Sequence, residues 1–459
     1  MIYRNLRVIT VLLGIIGLPP LVAWESALAV PSFARQTGMS CNVCHTAFPE
    51  LTPFGRHFKL TGYVISKSEK PYEFPPPLAG MLQLSFTHIT KDLPRGSIDD
   101  NWATHVTSSD NNVISLPQQA SLFYGGKIYG HVGGLVQGTF DGASNTFFLD
   151  NTDIRYANST TVAGKNLIFG FQVNNNPTVQ DVWNSTPAWG FPSASSSVGP
   201  APAAGTVIDG ALAQQVGGLG AYAYWNDLIY GGFTLYRTAA NGITEPFGAG
   251  TTTDTVVGGA VPYWRLALQH QWGKHSLELG TYGLYAKIVA GGKSSGPTDK
   301  FTDIALDAQY QYIGKKHILS AQTTWIHEDQ DWNASFPSGN TARRSSFLNT
   351  FRINGNYYYK SRLGMVGGTV GYFSTTGRSD ALLYAPDPVD GSRTGSPDSS
   401  GFILEVDYLR YEISKFLTLK SSLQYTLYTE FNGSHSNYDG FGRDASDNNM
   451  LYFLLWLMF

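Results

Sequence analysis

Charged residues are scarce in this chain. Asp, Glu, Lys and Arg together make up 14% of its 459 residues, and the formal net charge is -3. No block of Lys and Arg stands out along the sequence, whereas proteins that bind nucleic acid concentrate positive charge in a patch or stripe. We therefore expect no nucleic-acid partner. With 50 glycines and 14% aromatic residues, the composition is also unusual for a soluble cytosolic enzyme.

The sequence also lacks a hydrophobic run of the roughly 20 residues that a membrane-spanning helix needs. A shorter apolar run at residues 8–18 follows Arg4 and Arg7 and precedes the small-residue site at 27–29. This order is typical of a secretory signal peptide, which is removed from the mature protein. The other interpretation, a membrane anchor, is disfavoured by the length of the run. We predict a signal peptide over residues 1–29, with cleavage after Ala29.

Cysteine is nearly absent: the chain has two, and both lie in the run Cys41-Asn42-Val43-Cys44-His45. This spacing lets two thiols add to the vinyl groups of one haem while the next residue supplies the proximal imidazole. The alternatives are a thioredoxin-like redox pair and half of a zinc site, but no second cysteine pair exists and no strand-to-helix context surrounds the motif. We predict one covalent haem c, attached through Cys41 and Cys44, with His45 as the proximal ligand.

A haem iron in an electron-transfer site usually has a second axial ligand, the distal one. His57 and Met81 are the candidates, because Met39 stands too close to the motif to reach around the ring. His57 can equally be a solvated histidine in a basic patch with Arg56 and Lys59. The sequence leaves this choice open.

The haem-binding segment extends from Val30 to the prolines at 75–77. This length is near the limit at which a chain buries a core unaided. We therefore expect residues 30–77 to form a small cytochrome segment that packs against the remaining chain, residues 78–459.

Beyond Pro77, apolar and polar residues alternate with a period of two, between stretches rich in Gly, Asn, Asp, Ser and Thr. Such alternation is typical of antiparallel strands joined by turns. Over residues 417–429 one face carries Leu417, Leu419, Leu423, Tyr425 and Leu427, and the other carries Thr418, Lys420, Ser422, Gln424 and Thr426. Ile304, Leu306, Ala308, Tyr310 and Tyr312 alternate in the same way with Asp303, Asp307, Gln309 and Gln311. One face suits lipid and the other suits water.

Connection lengths alternate as well. Tight turns are expected near 226–227, 273–274, 314–316, 360–361 and 414–415, and long polar loops at about 90–116, 141–146, 174–211, 238–259, 288–300, 328–343, 375–400 and 431–447. These connections give about sixteen strands, an even number that places both ends of a barrel on the periplasmic side. The apolar segment 451–459 has the length of a spanning strand.

We therefore predict an all-β fold, a transmembrane antiparallel β-barrel of about 16 strands. A soluble β-sandwich or propeller is the alternative, although such folds more often turn their apolar faces inward and have fewer long polar loops. A barrel of this size has an aqueous lumen unless something fills it. We expect the short N-terminal cytochrome segment to be the plug. The final Phe459 resembles the terminal residue of outer-membrane barrels that the bacterial assembly machinery recognises.

Together with this barrel, the runs PSFARQTGMSCNVCH (residues 31–45) and PELTPFGRHFKLTGY (49–63) resemble the fused monohaem cytochrome-porin family of outer-membrane iron-oxidising cytochromes. The resemblance implies that the haem-binding segment plugs the barrel. It also implies that the protein takes electrons from extracellular Fe(II) and passes them to a periplasmic cytochrome or other carrier. By the same resemblance, Cys41 and Cys44 attach the haem and His45 is the proximal ligand.

The third long loop, residues 174–210, is expected to enter the lumen, because the third loop does so in porins that this sequence resembles. Trp183, Trp189 and Phe191 then either approach the haem or serve as aromatic anchors of a surface loop. Oxygen ligands suit Fe(II), so Asp181, Asp303 and Asp307 are candidates for a transient iron contact; the alternative is that each is a solvated acidic residue.

One-electron oxidation of Fe(II) needs no nucleophile or general base, so the lack of an obvious catalytic triad does not count against it. Two other functions stay open. One is an electron conduit with a different extracellular donor or acceptor, and the other is a solute-diffusion porin whose haem segment is regulatory. The sequence also leaves open a homotrimer, the assembly of many porins.

Overall fold

The computed structural model describes residues 31–65, 77–93, 104–106, 111–239, 255–414 and 417–459. The expected signal peptide, residues 1–29, lies outside these ranges. Among the described residues, no helix has both the length and the apolar character needed to cross a membrane.

Three short helices come first: α1 (Pro31–Thr37), α2 (Cys41–Cys44) and α3 (Pro53–Leu60). The strands of the described chain are β1 (Leu78–Ile89), β2 (Thr104–Val106), β3 (Asn112–Tyr129), β4 (Val132–Asp141), β5 (Thr146–Val162), β6 (Lys165–Asn174), β7 (Val216–Trp225), β8 (Ile229–Thr238), β9 (Val261–Trp272), β10 (His275–Val289), β11 (Thr298–Ile313), β12 (His317–Asp331), β13 (Ser345–Ser361), β14 (Gly364–Gly377), β15 (Ser399–Ser414), β16 (Leu417–Glu430) and β17 (Met450–Met458).

The strands form one closed antiparallel barrel. Each long strand pairs with its neighbour in sequence, and β1 pairs with both β3 and β17, which closes the sheet. Strand β2 has only three residues and pairs with β3, so the wall itself has sixteen strands. The prediction of an all-β barrel of about 16 strands is confirmed.

The two faces of the wall differ as the alternation predicts. On β11, Ile304 and Leu306 are 51% and 55% exposed on the outside, whereas Gln309 and Gln311 are 2% and 0% exposed on the inside. On β16 the five predicted polar residues, Thr418, Lys420, Ser422, Gln424 and Thr426, are all buried. A barrel with an apolar exterior and a polar interior matches the pattern of barrels that span lipid.

The two rims of the barrel also differ. The short-turn rim carries the turns 130–131, 163–164, 226–228, 273–274, 314–316 and 362–363, together with the start of β1 and the end of β17. The long-loop rim carries the connections 142–145, 175–215, 290–297, 332–344, 378–398 and 431–449 and the partly described ones at 90–111 and 239–260. Some strands extend past the predicted bounds, since β12 continues to Asp331 and β3 begins at Asn112. Backbone pairing continues there beyond the end of the apolar alternation.

Two loops of the long-loop rim are joined through Asp380. Its buried carboxylate accepts backbone N–H donors of Ala342 and Arg343 from one loop, at 2.9 and 3.1 Å, and of Leu382 and Leu383 from its own, both at 3.0 Å. Burial raises the pKa of Asp380, but these donors outweigh burial and hold the pKa below its usual value. The stabilisation is therefore complete above pH 4 and is lost as the pH falls through the lowered pKa.

We expect Asp380→Asn to weaken the packing of these loops by about 1–3 kcal/mol at pH 7, because the four N–H donors lose an ionised acceptor. Proteolysis within 332–344 and 378–398 measures the effect. The wild type should resist cleavage at pH 5–7 and lose that resistance below pH 4, whereas the variant should be sensitive throughout. Asp387→Asn, at an exposed position of the same loop, is the matched control. Equal resistance of Asp380→Asn and wild type at pH 7 would contradict this account.

Candidate functional site

The described N-terminal segment, residues 31–65, lies against the inner wall of the barrel. Arg56, 2% exposed, donates from Nη1 to Gln311 Oε1 at 2.9 Å and from Nη2 to Ser276 Oγ at 2.8 Å. Glu50 accepts from Gln311 Nε2 at 2.7 Å and from Ser320 Oγ at 2.9 Å. Because these wall residues point inward, the contacts hold the segment within the lumen against β10–β12.

Helix α3 supports the motif. It begins after Thr52, whose hydroxyl accepts the Gly55 N–H at 3.1 Å, and Pro53 occupies the first position, where its missing N–H costs nothing. A Cβ atom at Gly55 would overlap the carbonyl group of Cys44. Only glycine therefore allows α3 to approach α2 this closely.

Cys41 and Cys44 are the first and last residues of the one-turn helix α2, and His45 follows it directly. The N–H of His45 donates to the Cys41 carbonyl at 2.8 Å, and positions three apart on a helix lie on one side of it. The Pro49 carbonyl lies 3.1 Å from His45 Nδ1 and can only accept, so Nδ1 carries the proton and Nε2 keeps its lone pair. Burial lowers the pKa of His45 to about 4 and raises that of the Cys44 thiol to about 11.

All three motif residues line one cavity of about 320 Å³ between the helices, the barrel wall and the third long loop. Aromatic side chains dominate the helical side, with Phe33, Phe48, Phe54 and Phe58. The wall contributes Met81, Phe123, Leu135 and Trp456. Cofactor pockets are typically about 300–1,000 Å³ and mostly apolar, so the size and lining suit a large planar apolar group.

The two candidate distal ligands lie in different places. Met81 is buried on β1 and lines the cavity, whereas His57 is exposed on α3 and is not a lining residue. Met458 lines the cavity too, because it is the register partner of Met81 across the closing seam of the barrel. Met39 is a further lining residue. Sequence reasoning missed Met458; its inward position in the alternation of β17 was the available signal.

The third long loop, residues 175–215, enters the lumen as expected. Trp183 is 1% exposed and donates from Nε1 to Gln269 Oε1 of the wall at 2.7 Å. Trp189 lines the cavity, and its ring lies 4.9 Å from Lys59 Nζ. Lys59 donates to the carbonyl oxygens of Val179 and Asp181 at 2.6 and 2.8 Å. Burial lowers the pKa of Lys59 to about 7.

The loop aromatics thus have separate positions. Trp189 reaches the cavity beside the motif, Trp183 anchors the loop to the wall, and Phe191 lies against Gly371 of β14. The interpretation as loop anchors therefore holds for Trp183 and Phe191, and an approach of Trp189 to a haem stays a prediction.

The three candidate iron-contact carboxylates are buried and already have partners. Asp181 and Asp307 flank the guanidinium of Arg265, at 3.3 and 2.7 Å from Nη2, and Asp303 accepts the Ile208 N–H at 2.8 Å. Their exposed fractions are 1%, 5% and 1%, so the alternative of solvated acidic residues is wrong. Each fixes the third loop to the wall. Among the described residues, no three His, Cys, Asp or Glu side chains are arranged to hold a metal ion.

No family model and no curated protein matches the sequence. Solved structures similar to the chain include a loop L8 deletion mutant of OmpT, an outer membrane protein of Vibrio cholerae. The two sequences are 9% identical, the match covers 83% of this chain and 97% of that chain, and the TM-score is 0.43. An anion-selective porin from Comamonas acidovorans has 12% identity, coverage of 83% and 98%, and a TM-score of 0.42. Salmonella typhi OmpF in complex with daunomycin has 11% identity, coverage of 83% and 97%, and a TM-score of 0.40. None of these similarities bears on the chemistry of the cavity.

No pattern in the sequence indicated Arg265, around which carboxylates of the loop and of the wall meet. Its guanidinium is fully buried and lies within 3.3 Å of Asp181, Glu278 and Asp307. One arginine among many alternating strand residues carries no distinguishing pattern.

Proposed function

We propose that this chain is an outer-membrane c-type cytochrome-porin that accepts electrons from extracellular Fe(II) through one covalent haem and passes them to periplasmic carriers. The observation that carries the proposal is the position of Cys41, Cys44 and His45, which all line one cavity inside a closed barrel. Hydrocarbon conducts no electrons, so a redox group enclosed by a barrel wall offers a route across a membrane.

The surface of the barrel supports a location in the outer membrane. Large apolar side chains are exposed around the wall, among them Leu219 at 65%, Leu266 at 56% and Val370 at 58%. Such a belt is costly in water and favourable in lipid. An export signal at residues 1–29 would deliver the chain to that membrane.

Each part of the cavity has a role in the proposal. Cys41 and Cys44 fix the group covalently, and His45 offers Nε2 because Pro49 holds its Nδ1. The wall and loop side chains Trp456, Phe123 and Trp189 would pack against the group. A haem bound there would supply the one-electron exchange.

The test is a reduced-minus-oxidised absorbance spectrum of outer-membrane fractions, followed by stopped-flow mixing of the purified oxidised protein with Fe(II). We expect a c-type spectrum in the outer-membrane fraction and reduction by Fe(II) on a physiological timescale. A haem spectrum without reduction by Fe(II) would instead favour a conduit for another donor or acceptor. Absence of covalent haem would overturn the proposal.

The distal ligand gives a separate prediction. We expect Met81→Leu to change the spectrum of the oxidised protein and to lower the reduction potential by on the order of 0.1 V, because a thioether ligand raises the potential. Met458→Leu, at the paired position across the seam, is the comparison, and these changes with Met458→Leu in place of Met81→Leu would assign the ligand to Met458. His57→Ala should have no effect, since that side chain is exposed. A change with His57→Ala alone would assign the ligand to histidine.

A solute-diffusion porin is the second candidate, and the closed sixteen-strand barrel with its polar interior favours it. Large steady conductance of the wild-type protein in planar bilayers would support diffusion. The proposal instead expects low conductance, because residues 31–65 and 175–215 both contact the inner wall.

A further inference from the structure

Three consecutive turns of the short-turn rim carry five basic side chains. Lys274 lies between β9 and β10, Lys315 and Lys316 between β11 and β12, and Lys360 and Arg362 at the turn between β13 and β14. All are exposed except Lys360, which is half-buried. None of the five forms an ion pair with another described residue. We call these five residues the basic arc.

The rim around the arc contains little negative charge. In the six described turns and the two residues on either side of each, Asp227 is the one carboxylate. The opposite rim, in contrast, exposes side chains of both signs, among them Asp329, Asp331, Arg343 and Arg344. Clustered charge of one sign steers partners of the opposite sign and speeds their association.

Wall residues close to the arc contact the segment that carries the motif. Arg56 bonds Ser276, which is two residues from Lys274, and Glu50 bonds Gln311, which is four residues from Lys315. At about 3.3 Å per strand residue, these separations are roughly 7 and 13 Å. A partner bound to the arc therefore lies beside the wall that holds residues 46–56.

An aromatic belt separates the arc from the apolar wall. Trp272, Tyr357 and Tyr359 are 43%, 47% and 39% exposed at the ends of β9 and β13, and the Trp272 ring stacks on His275. Belts of this kind mark the boundary between membrane and water. Lys274, Lys315 and Lys316, at the tips of the turns, lie beyond the belt and face water. This position favours a soluble partner over lipid headgroups.

We propose that the basic arc is the docking surface for a soluble periplasmic electron carrier with an acidic contact face. The inference rests on the proposed function, since it names the kind of partner that would take electrons from this rim. Charged groups at an interface rim act mainly on the association rate and its salt dependence. Binding should therefore be strong at low ionic strength and weak when the Debye length falls well below 10 Å.

The experiment uses the full chain in nanodiscs of zwitterionic phosphatidylcholine and two labelled probes, the acidic soluble domain of cytochrome b5 and the basic mitochondrial cytochrome c. We expect the acidic probe alone to bind, with an affinity that decreases as salt is added. The triple variant Lys274→Glu, Lys315→Glu, Lys316→Glu should weaken this binding about tenfold or more at low salt. Lys165→Glu, an exposed turn lysine on the far side of the rim, is the matched control and should change it less than about twofold.

The outcomes separate this inference from the proposed function, because haem content is read from the absorbance of the same nanodiscs before a probe is added. If the haem-loaded triple variant binds the acidic probe as tightly as the wild type, the basic arc is not the docking surface, and the proposed function is unaffected. An equal loss of binding with Lys165→Glu also contradicts docking at the arc, since it reveals a general effect of charge on binding. If the wild type loses binding of the acidic probe when phosphatidylglycerol is added to the nanodiscs, the arc binds lipid headgroups, and docking of a soluble partner is contradicted. A wild-type chain without haem overturns the proposed function, and with it the reason for an electron-carrying partner.

Discussion

Replacing both Cys41 and Cys44 by alanine is expected to remove all covalently bound haem while the barrel still forms. Both thiols line the cavity, and they are the two cysteines of the whole sequence, so no other thiol can replace them. The sixteen wall strands pair through their backbones, and none of these pairings involves either cysteine. Haem staining of a denaturing gel measures the attachment, and migration of unheated against heated samples measures the barrel.

Single variants sharpen the same test. Cys41→Ala and Cys44→Ala should each retain haem through one thioether, in reduced yield, whereas His45→Ala should retain attachment but lose the proximal imidazole and with it the low-spin spectrum. Thr418→Ser, beside the Cys41 sulfur at 3.7 Å, is the control for disturbance of the wall. Haem that survives denaturation in the double variant would contradict the assignment of the motif.

Replacing Arg265 by methionine is expected to release the third loop and open the lumen to ions. Its Nη2 lies 3.3 Å from Asp181 of the loop and 3.2 and 2.7 Å from Glu278 and Asp307 of the wall, with all four side chains fully buried. Removing the guanidinium leaves three carboxylates close together in a buried site without a counter-ion. Breaking a buried ion pair in this way costs about 3–5 kcal/mol, enough to displace a loop that the wall otherwise holds.

Single-channel conductance in planar bilayers and proteolysis within 175–215 measure the release. We expect larger and more frequent openings and faster cleavage for Arg265→Met than for the wild type. Arg237→Met, at an exposed position of the adjacent strand β8, is the control and should resemble the wild type. Unchanged conductance together with an uncleaved loop would contradict this prediction and show that the other loop contacts, such as Trp183 to Gln269 and Ile208 to Asp303, suffice.

The opening predicted for Arg265→Met also bears on the choice between electron transfer and solute diffusion. If the loop and the N-terminal segment together close the lumen, the wild type conducts poorly and the variant conducts better. If the wild type already conducts like an open pore, the segment and loop leave a path for solutes. The same recordings on the Cys41→Ala, Cys44→Ala variant show whether attachment of the cofactor affects the closure.

Local patterns in the sequence predicted most of the architecture. Alternation placed Ile304 and Leu306 outside and Gln309 and Gln311 inside, and the structure agrees at each position. Turn residues located the predicted connections to within a few residues, because Gly, Asn, Asp and Ser favour reversal of the chain through local backbone geometry. The turns at 130–131 and 163–164 were not among those predicted. Strand ends were also misplaced, since β12 continues to Asp331 by pairing beyond the apolar stretch.

The cavity was only partly predictable. The run from Cys41 to His45 is contiguous, so its spacing alone indicated the chemistry. Met458 is paired with Met81 although 377 residues separate them, and that register exists only because the barrel closes between β1 and β17. The carboxylates Asp303 and Asp307 were expected to face an aqueous lumen, yet the third loop covers both.

The sequence by itself determined three features: the spacing of the thiols and the imidazole, the alternation of apolar and polar residues along each strand, and the alternation of short turns with long loops. Each of these depends only on residues that are close together along the chain. Only the tertiary structure decided what surrounds the motif. Three features join residues that are distant in sequence. They are the burial of Arg265 among three carboxylates, the position of Trp189 in the cavity lining, and the five basic side chains on one arc of the rim. Such contacts depend on barrel closure and strand register, which no local pattern specifies.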